Sequence, residues 1–172
     1  MNHDRTELTY DEVLDRIDIH EGEEVEEVIG AVYADVKAMA RPLPKKLGVY
    51  GYPSLHRHDL VWAEMTRYCY QLCILLFTNR RVISLCRKRA FQPPYGYTIV
   101  EKSFEYESIV DVVEEEPLVE IICREERTSI LHFIEFYEID PTKPVFRKRR
   151  KTIHNSVFVD SLRKQIEMSS KT

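Results

Sequence analysis

Arginine and lysine are the residues whose spacing in this chain suggests chemistry. Five bases stand in a row, Arg147-Lys148-Arg149-Arg150-Lys151. Upstream, Arg80-Arg81 and Arg87-Lys88-Arg89 form a second group, followed by Phe91, Pro93, Pro94 and Tyr95. Guanidinium forks bind phosphate oxygens bidentately, and each base near an anionic surface contributes roughly 1 kcal/mol. If the two groups converge on one face, they would hold an anionic lipid, with Phe91 and Tyr95 dipping into the interface. The bland reading stands beside this one: residues 147–151 as a solvated connector, and the bases at 80–89 as ordinary strand-end chemistry. A run of this kind is also a nuclear-import pattern. Nucleic acid fits less well, because single-strand grooves interleave aromatics with bases and only Phe146 lies close to the run.

Other constellations fall away on inspection. His56-Arg57-His58 offers two imidazoles without a third ligand, which reads as a polar loop rather than a metal site. Asp15, Asp18, Gly22 and Glu23 hint at a calcium loop, but the ligand positions counted back from Gly22 are Ile17, Ile19 and Glu21. His132 reads as a residue on a β face, and His154 as the residue before a helix cap. There is no Gly-x-Ser-x-Gly, no phosphate-cradling glycine loop, no His-Glu-x-x-His and no Cys-x5-Arg, and five glycines leave few places to wrap phosphate. The expectation is a non-catalytic protein that needs neither cofactor nor metal. Cys69, Cys73, Cys86 and Cys123 lack zinc spacing and read as free thiols in the core.

The elements that must position the bases come next. With 172 residues, 44% hydrophobic and 31% charged, the chain reads as one domain with an arm. Its net charge of −4 divides unevenly: residues 1–36 carry −10 and the remainder +6. An acidic arm on a basic body favours an anionic partner for the body, and the arm itself is a candidate cover for the basic face. The first ten residues lack the apolar core of a signal peptide, and Leu72 to Phe77 is too short to cross a membrane. The expected location is therefore cytoplasmic, with peripheral membrane attachment, and nuclear import stays open.

In the arm, Thr9-x-x-Glu12 is a capping box, with Leu8 and Val13 placed as its hydrophobic staple. Val25, Val28, Ile29, Val32, Val36 and Met39 keep a helical spacing, with glutamates in the first turns, and predict a helix over about 23–40. From residue 60 the period changes to two. Strands are expected at Tyr68–Thr78, Arg81–Lys88, Tyr97–Tyr106, Ser108–Val113, Leu118–Arg124 and Ser129–Ile139, with Asn79-Arg80 as a tight turn. Glu114-Glu115-Glu116 and Glu125-Glu126 read as hairpin loops. Residues 145–151 cannot be an inner strand without sending bases into the core, so they read as a loop or a wet edge. A last helix follows, capped by Asn155 or Ser156, with Phe158, Leu162 and Ile166 as its stripe and Arg163 and Lys164 facing water or complementing its C-terminal half.

Antiparallel strands closed by one C-terminal amphipathic helix follow the pleckstrin-homology-like order. The stretch LLFTNRRVISLCRK resembles the hairpin of GRAM and related domains, and KSFEYESIVDVV and LVEIICREE resemble the strands that follow it. EEVEEVIGAVYADVKAMARP, then GVYGY, then the TNRR hairpin looks like the domain attached to Sac-family inositol phosphatases and found in p63-regulated-gene proteins. This resemblance spans about residues 23–168; the Pro93-Pro94 loop and the 147–151 run depart from that pattern. It implies an α+β, mainly β fold: a pleckstrin-homology-like antiparallel barrel or sandwich with a C-terminal capping helix and an additional N-terminal helix. Residues 1–44 would be the acidic helical arm and 45–172 the domain. It also implies phosphoinositide binding through bases near the first hairpin, of which Arg87-x-Arg89 matches the last part of the usual pattern. The alternative is a protein–protein adaptor, a homodimer included, that uses helix 23–40 or a sheet edge.

Overall fold

The computed structural model describes residues 8–34, 70–89, 96–115, 118–124, 128–146 and 151–170. The first element, α1 (Tyr10–Arg16), starts as its sequence requires: the Thr9 hydroxyl accepts the Glu12 amide at 3.2 Å, and Leu8 and Val13 are both buried. The staple is thus formed by residues that also join α1 to the body.

The next element corrects the sequence reading. Residues 25–34, expected within a helix over about 23–40, form strand β1 (Val25–Ala34). A register shift between Val25 and Glu27 explains the misleading pattern. One extra residue at this bulge turns a spacing of two into a spacing of three, so Val25 and Val28 pack into the same cluster. Beyond it, Ile29 to Val32 are buried on alternate faces and leave no polar side to mark the period. Residues 35–40 of the expected helix, and the expected boundary at 44/45, lie outside the described residues.

Seven strands follow, of which all but the last and shortest fall close to their expected places. They are β2 (Tyr70–Thr78), β3 (Arg81–Arg89), β4 (Tyr97–Glu105), β5 (Ile109–Glu115), β6 (Leu118–Arg124), β7 (Thr128–Glu138) and the short β8 (Thr152–Ile153). All pairings are antiparallel, in the order β4-β3-β2-β1-β7-β6-β5, with β8 alongside β7. A four-strand meander and a three-strand meander therefore meet at β1 and β7, and the sheet curls into a half-barrel. β1 sits at the seam, between β2 and β7.

Each face of the sheet carries its own core. The inner face gathers Leu75, Phe77, Phe104, Val119, Ile121 and Phe136 under the C-terminal helix α2 (Asn155–Ser170), which contributes Phe158, Val159 and Leu162. Phe136 and Phe158 stack with centroids 3.6 Å apart. The outer face of the four-strand half is covered by Leu8, Val13 and Ile17 together with Val145 and Phe146. With covers on both sides, Cys73 to Thr78 of β2 are all buried, as the unbroken apolar run of that strand requires. Gly30 admits the Tyr137 ring of β7 directly over its backbone, where any side chain would collide with it.

Three local expectations change. The cap of α2 is His154: its backbone oxygen accepts the Val157 and Phe158 amides, and its Nδ1 accepts the Ser156 amide at 3.2 Å. Arg163 does not merely face water; its Nη2 donates to the Val112 oxygen on the β5 edge at 2.8 Å. Cys73 and Cys86, expected as free thiols, form a disulfide between β2 and β3, with Cα atoms 4.1 Å apart. The hairpin register places them directly opposite one another. Cys123 is a buried free thiol, and Cys69 lies outside the described residues.

Candidate functional site

Strand β3 carries the upstream bases, and its geometry divides them. Arg80 and Arg81 sit at the β2–β3 turn, whereas Arg87, Lys88 and Arg89 close the other end. Six residues at roughly 3.3 Å each separate Arg81 from Arg87 by about 20 Å. The two sets cannot grip one headgroup together.

At the turn, Arg81 is already engaged. Its Nε and Nη2 donate to the two oxygens of Glu23 at 2.9 and 3.0 Å, and Nη2 also reaches the Asp18 carbonyl at 2.8 Å. The Glu23 side chain is fully buried and the Arg81 side chain nearly so. Thr78 donates its hydroxyl to Glu23 at 2.8 Å while accepting the Arg80 and Arg81 amides. The guanidinium of Arg81, aided by Thr78 and the His20 amide against the pull of burial, holds the Glu23 carboxyl down at about 2. Around this pair, Asn79 donates to the Gly22 oxygen and accepts the Glu24 amide, with Gly22 at φ 76° making the turn. Tyr106 donates to the Thr78 oxygen at 2.7 Å, and burial pushes its hydroxyl pKa up, with Glu26, Glu27 and Glu23 adding to the effect. The Thr-Asn-Arg-Arg sequence is therefore a structural clasp on residues 18–24. Arg81 leaves the set of candidate ligand residues, and Arg80 stays exposed.

At the far end, strand alternation divides the bases again. Ile83, Leu85 and Arg87 share the outer face; Ser84, Cys86 and Lys88 share the inner one. Arg87 lies over the Tyr97 ring at 4.4 Å and over the Phe146 ring at 5.5 Å. These contacts hold the guanidinium in place, and among the described residues no carboxylate pairs with it. Lys88 is exposed, and Arg89 is the last residue of β3, opposite Tyr97.

Phe146 is the residue that sequence reasoning undervalued. It is buried in the outer cluster, and the Val145 amide next to it donates to the Leu8 oxygen at 2.9 Å. Covalently, it begins the basic run. Arg147, Lys148, Arg149 and Arg150 lie outside the described residues; at the other end the Lys151 oxygen accepts the Glu138 amide at 2.8 Å, and its ammonium meets Glu138 at 3.4 Å. Both flanks of the run are thus anchored, one of them beneath Arg87. No local sequence signal pairs residue 87 with residue 146.

A second feature lies at the turn end, an open polar groove of about 610 Å³ lined by His20, Arg81, Ser103, Glu105, Glu107 and Arg124, among others. Its two glutamates oppose its arginines, and Arg81 is spent on Glu23. His132, expected as a satisfied β-face residue, pairs across strands with Glu120 at 3.4 Å. His56 and His58 lie outside the described residues, as do Phe91, Pro93, Pro94 and Tyr95. Among the described residues no group of three metal-ligating side chains comes together, and no helix is long and apolar enough to cross a membrane. Set against protein-family models, curated proteins and solved structures, the chain matches none.

Proposed function

We propose that this is a non-catalytic, pleckstrin-homology-like binding module recruited to anionic membrane, with phosphoinositide as the favoured headgroup. One observation carries the reading: the Arg87 guanidinium rests on Phe146, the residue that leads directly into Arg147 to Lys151. This contact supports one basic surface, in which Arg87 is joined by the run that follows Phe146 in sequence. Arg87, Arg147, Lys148, Arg149, Arg150 and Lys151 are its principal residues, with Arg89 at the strand end and Lys88 on the opposite side. Arg80 contributes only long-range charge, and Arg81 is a structural residue. The meeting of a four-strand and a three-strand meander under a C-terminal helix supports the fold half of the reading.

The test is co-sedimentation with vesicles at about 0.15 M salt, where exposed charges interact over roughly 8 Å. Neutral vesicles are compared with vesicles carrying phosphatidylserine or a single phosphoinositide. Binding to one phosphoinositide that is lost on changing residues 147–151 to Ser or Gln, and weakened about fivefold by Arg87→Gln, supports the proposal. Binding to every anionic vesicle alike reduces it to nonspecific charge, and no binding at all removes it.

The adaptor reading keeps one supporting observation. Val110 and Ile130 are 54% and 46% exposed on the three-strand half, and Ile130 pairs with Ile122 across β6 and β7. Self-association or capture of a protein partner there, abolished by Ile130→Lys, would favour it. Its other basis, an amphipathic helix at 23–40, is gone over residues 25–34, since they are a central strand.

A further inference from the structure

The basic run ends on a hydroxyl. Arg149 and Arg150 stand three and two residues before Thr152, and the aliphatic Ile153 follows it. Kinases that select basic substrates read this pattern through acidic subsites for the two guanidinium groups and an apolar pocket for the next residue. Thr152 is exposed and already extended, in a two-residue strand on the margin of the sheet. Among the described residues its ladder is short, Phe136–Ile153 and Tyr137–Thr152 followed by the Glu138 amide on the Lys151 oxygen, so lifting it into a kinase cleft breaks few bonds. Ser84 also has an arginine three residues before it, Arg81, but Ser84 is buried and Arg81 is held by Glu23.

We propose that Thr152 is the phosphorylation site of a basophilic serine/threonine kinase, and that its phosphate switches off the anion-binding surface beside it. The second half rests on the membrane reading above. In the transfer, the Thr152 oxygen attacks the γ-phosphorus of ATP and the bond to the bridging oxygen breaks. ADP leaves with that electron pair, and the hydroxyl proton passes to the catalytic base of the kinase. The Thr152 hydroxyl lies 3.5 Å from a Glu135 oxygen, and Glu138 pairs with Lys151 next door. A phosphate carries a charge of about −1.5 to −2. It is repelled by Glu135 and Glu138, and it offsets part of the positive charge of Lys151 and the bases before it in sequence.

The experiment uses the full chain, the catalytic subunit of a basophilic kinase and magnesium ATP, with the phosphate located by peptide mass spectrometry. One phosphate on Thr152 is expected, lost in Thr152→Ala and in the double variant Arg149→Gln/Arg150→Gln. The phosphorylated chain should bind phosphatidylserine vesicles at least tenfold more weakly than the unmodified chain. No phosphate on Thr152, under conditions that fully label a basic control peptide, overturns the site. Phosphate on Thr152 with unchanged vesicle binding overturns the switch. If the unmodified chain fails to bind the vesicles at all, the membrane reading and the switch fall together, while the mapped phosphate still decides the site.

Discussion

Arg80 and Arg81 are neighbours of one chemistry and opposite fates. Arg80 is exposed, so Arg80→Ala should change stability by no more than about 0.5 kcal/mol. Arg81→Ala strands the buried Glu23 carboxylate without its partner and should cost about 3 kcal/mol, read from urea denaturation. The same pair sets an acid limit. Glu23 titrates at about 2 in the fold against 4.5 ordinarily, so its contribution is complete above pH 4.5 and is lost as pH falls towards 2. Wild-type stability should therefore drop by roughly 2–3 kcal/mol more than that of Glu23→Gln across this window, as followed by denaturation at each pH. None of this was legible locally, because Glu23 and Arg81 are 58 positions apart and each looked like one more surface charge.

At the scale of elements, the strands that read correctly are those with one polar and one apolar face, or with a turn to mark their ends. Arg81–Arg89 and Leu118–Arg124 are examples. β1 failed because its bulge imitates a helical spacing and its centre is apolar on both sides. The disulfide was legible and overlooked: counting outward from the Asn79-Arg80 turn, Cys73 and Cys86 fall opposite each other. Closing a loop of this length constrains the unfolded chain by about 3 kcal/mol. Reduction should lower stability by that order, as measured by urea denaturation with and without dithiothreitol, and a Cys73→Ala/Cys86→Ala variant should be indifferent to the reductant. The pairing of β1 with β7 makes a sharper test of packing. Gly30→Ala drives a methyl group into the buried Tyr137 ring and should cost 2 kcal/mol or more in thermal or chemical unfolding. Adding Tyr137→Ala should recover part of the loss relative to Tyr137→Ala alone, which identifies the collision as the cause.

For the whole molecule, the course of the chain after β7 matters: Phe146 is buried near Arg87, and Lys151 is bonded to Glu138 at the end of β7. Sequence patterns show each basic group but not that course. The acidic α1 lies on the same face as Phe146, and Leu8 just before it accepts the Val145 amide. Neutralising its exposed Asp11, Glu12 and Asp15 as Asn, Gln and Asn should strengthen binding to phosphatidylserine vesicles two- to fivefold at low salt, with the gain vanishing at about 0.5 M. The seam at β1 and β7 has a consequence for how the protein is made. β2, β3 and β4 can pair as soon as each leaves the ribosome, but β1 cannot complete its ladder until residues 133–138 exist. At roughly 5–20 residues per second, β1 waits about 5–20 s after its own synthesis with one hydrogen-bonding edge open. The first of the described strands is among the last to be enclosed, and in that interval the nascent chain most needs a chaperone.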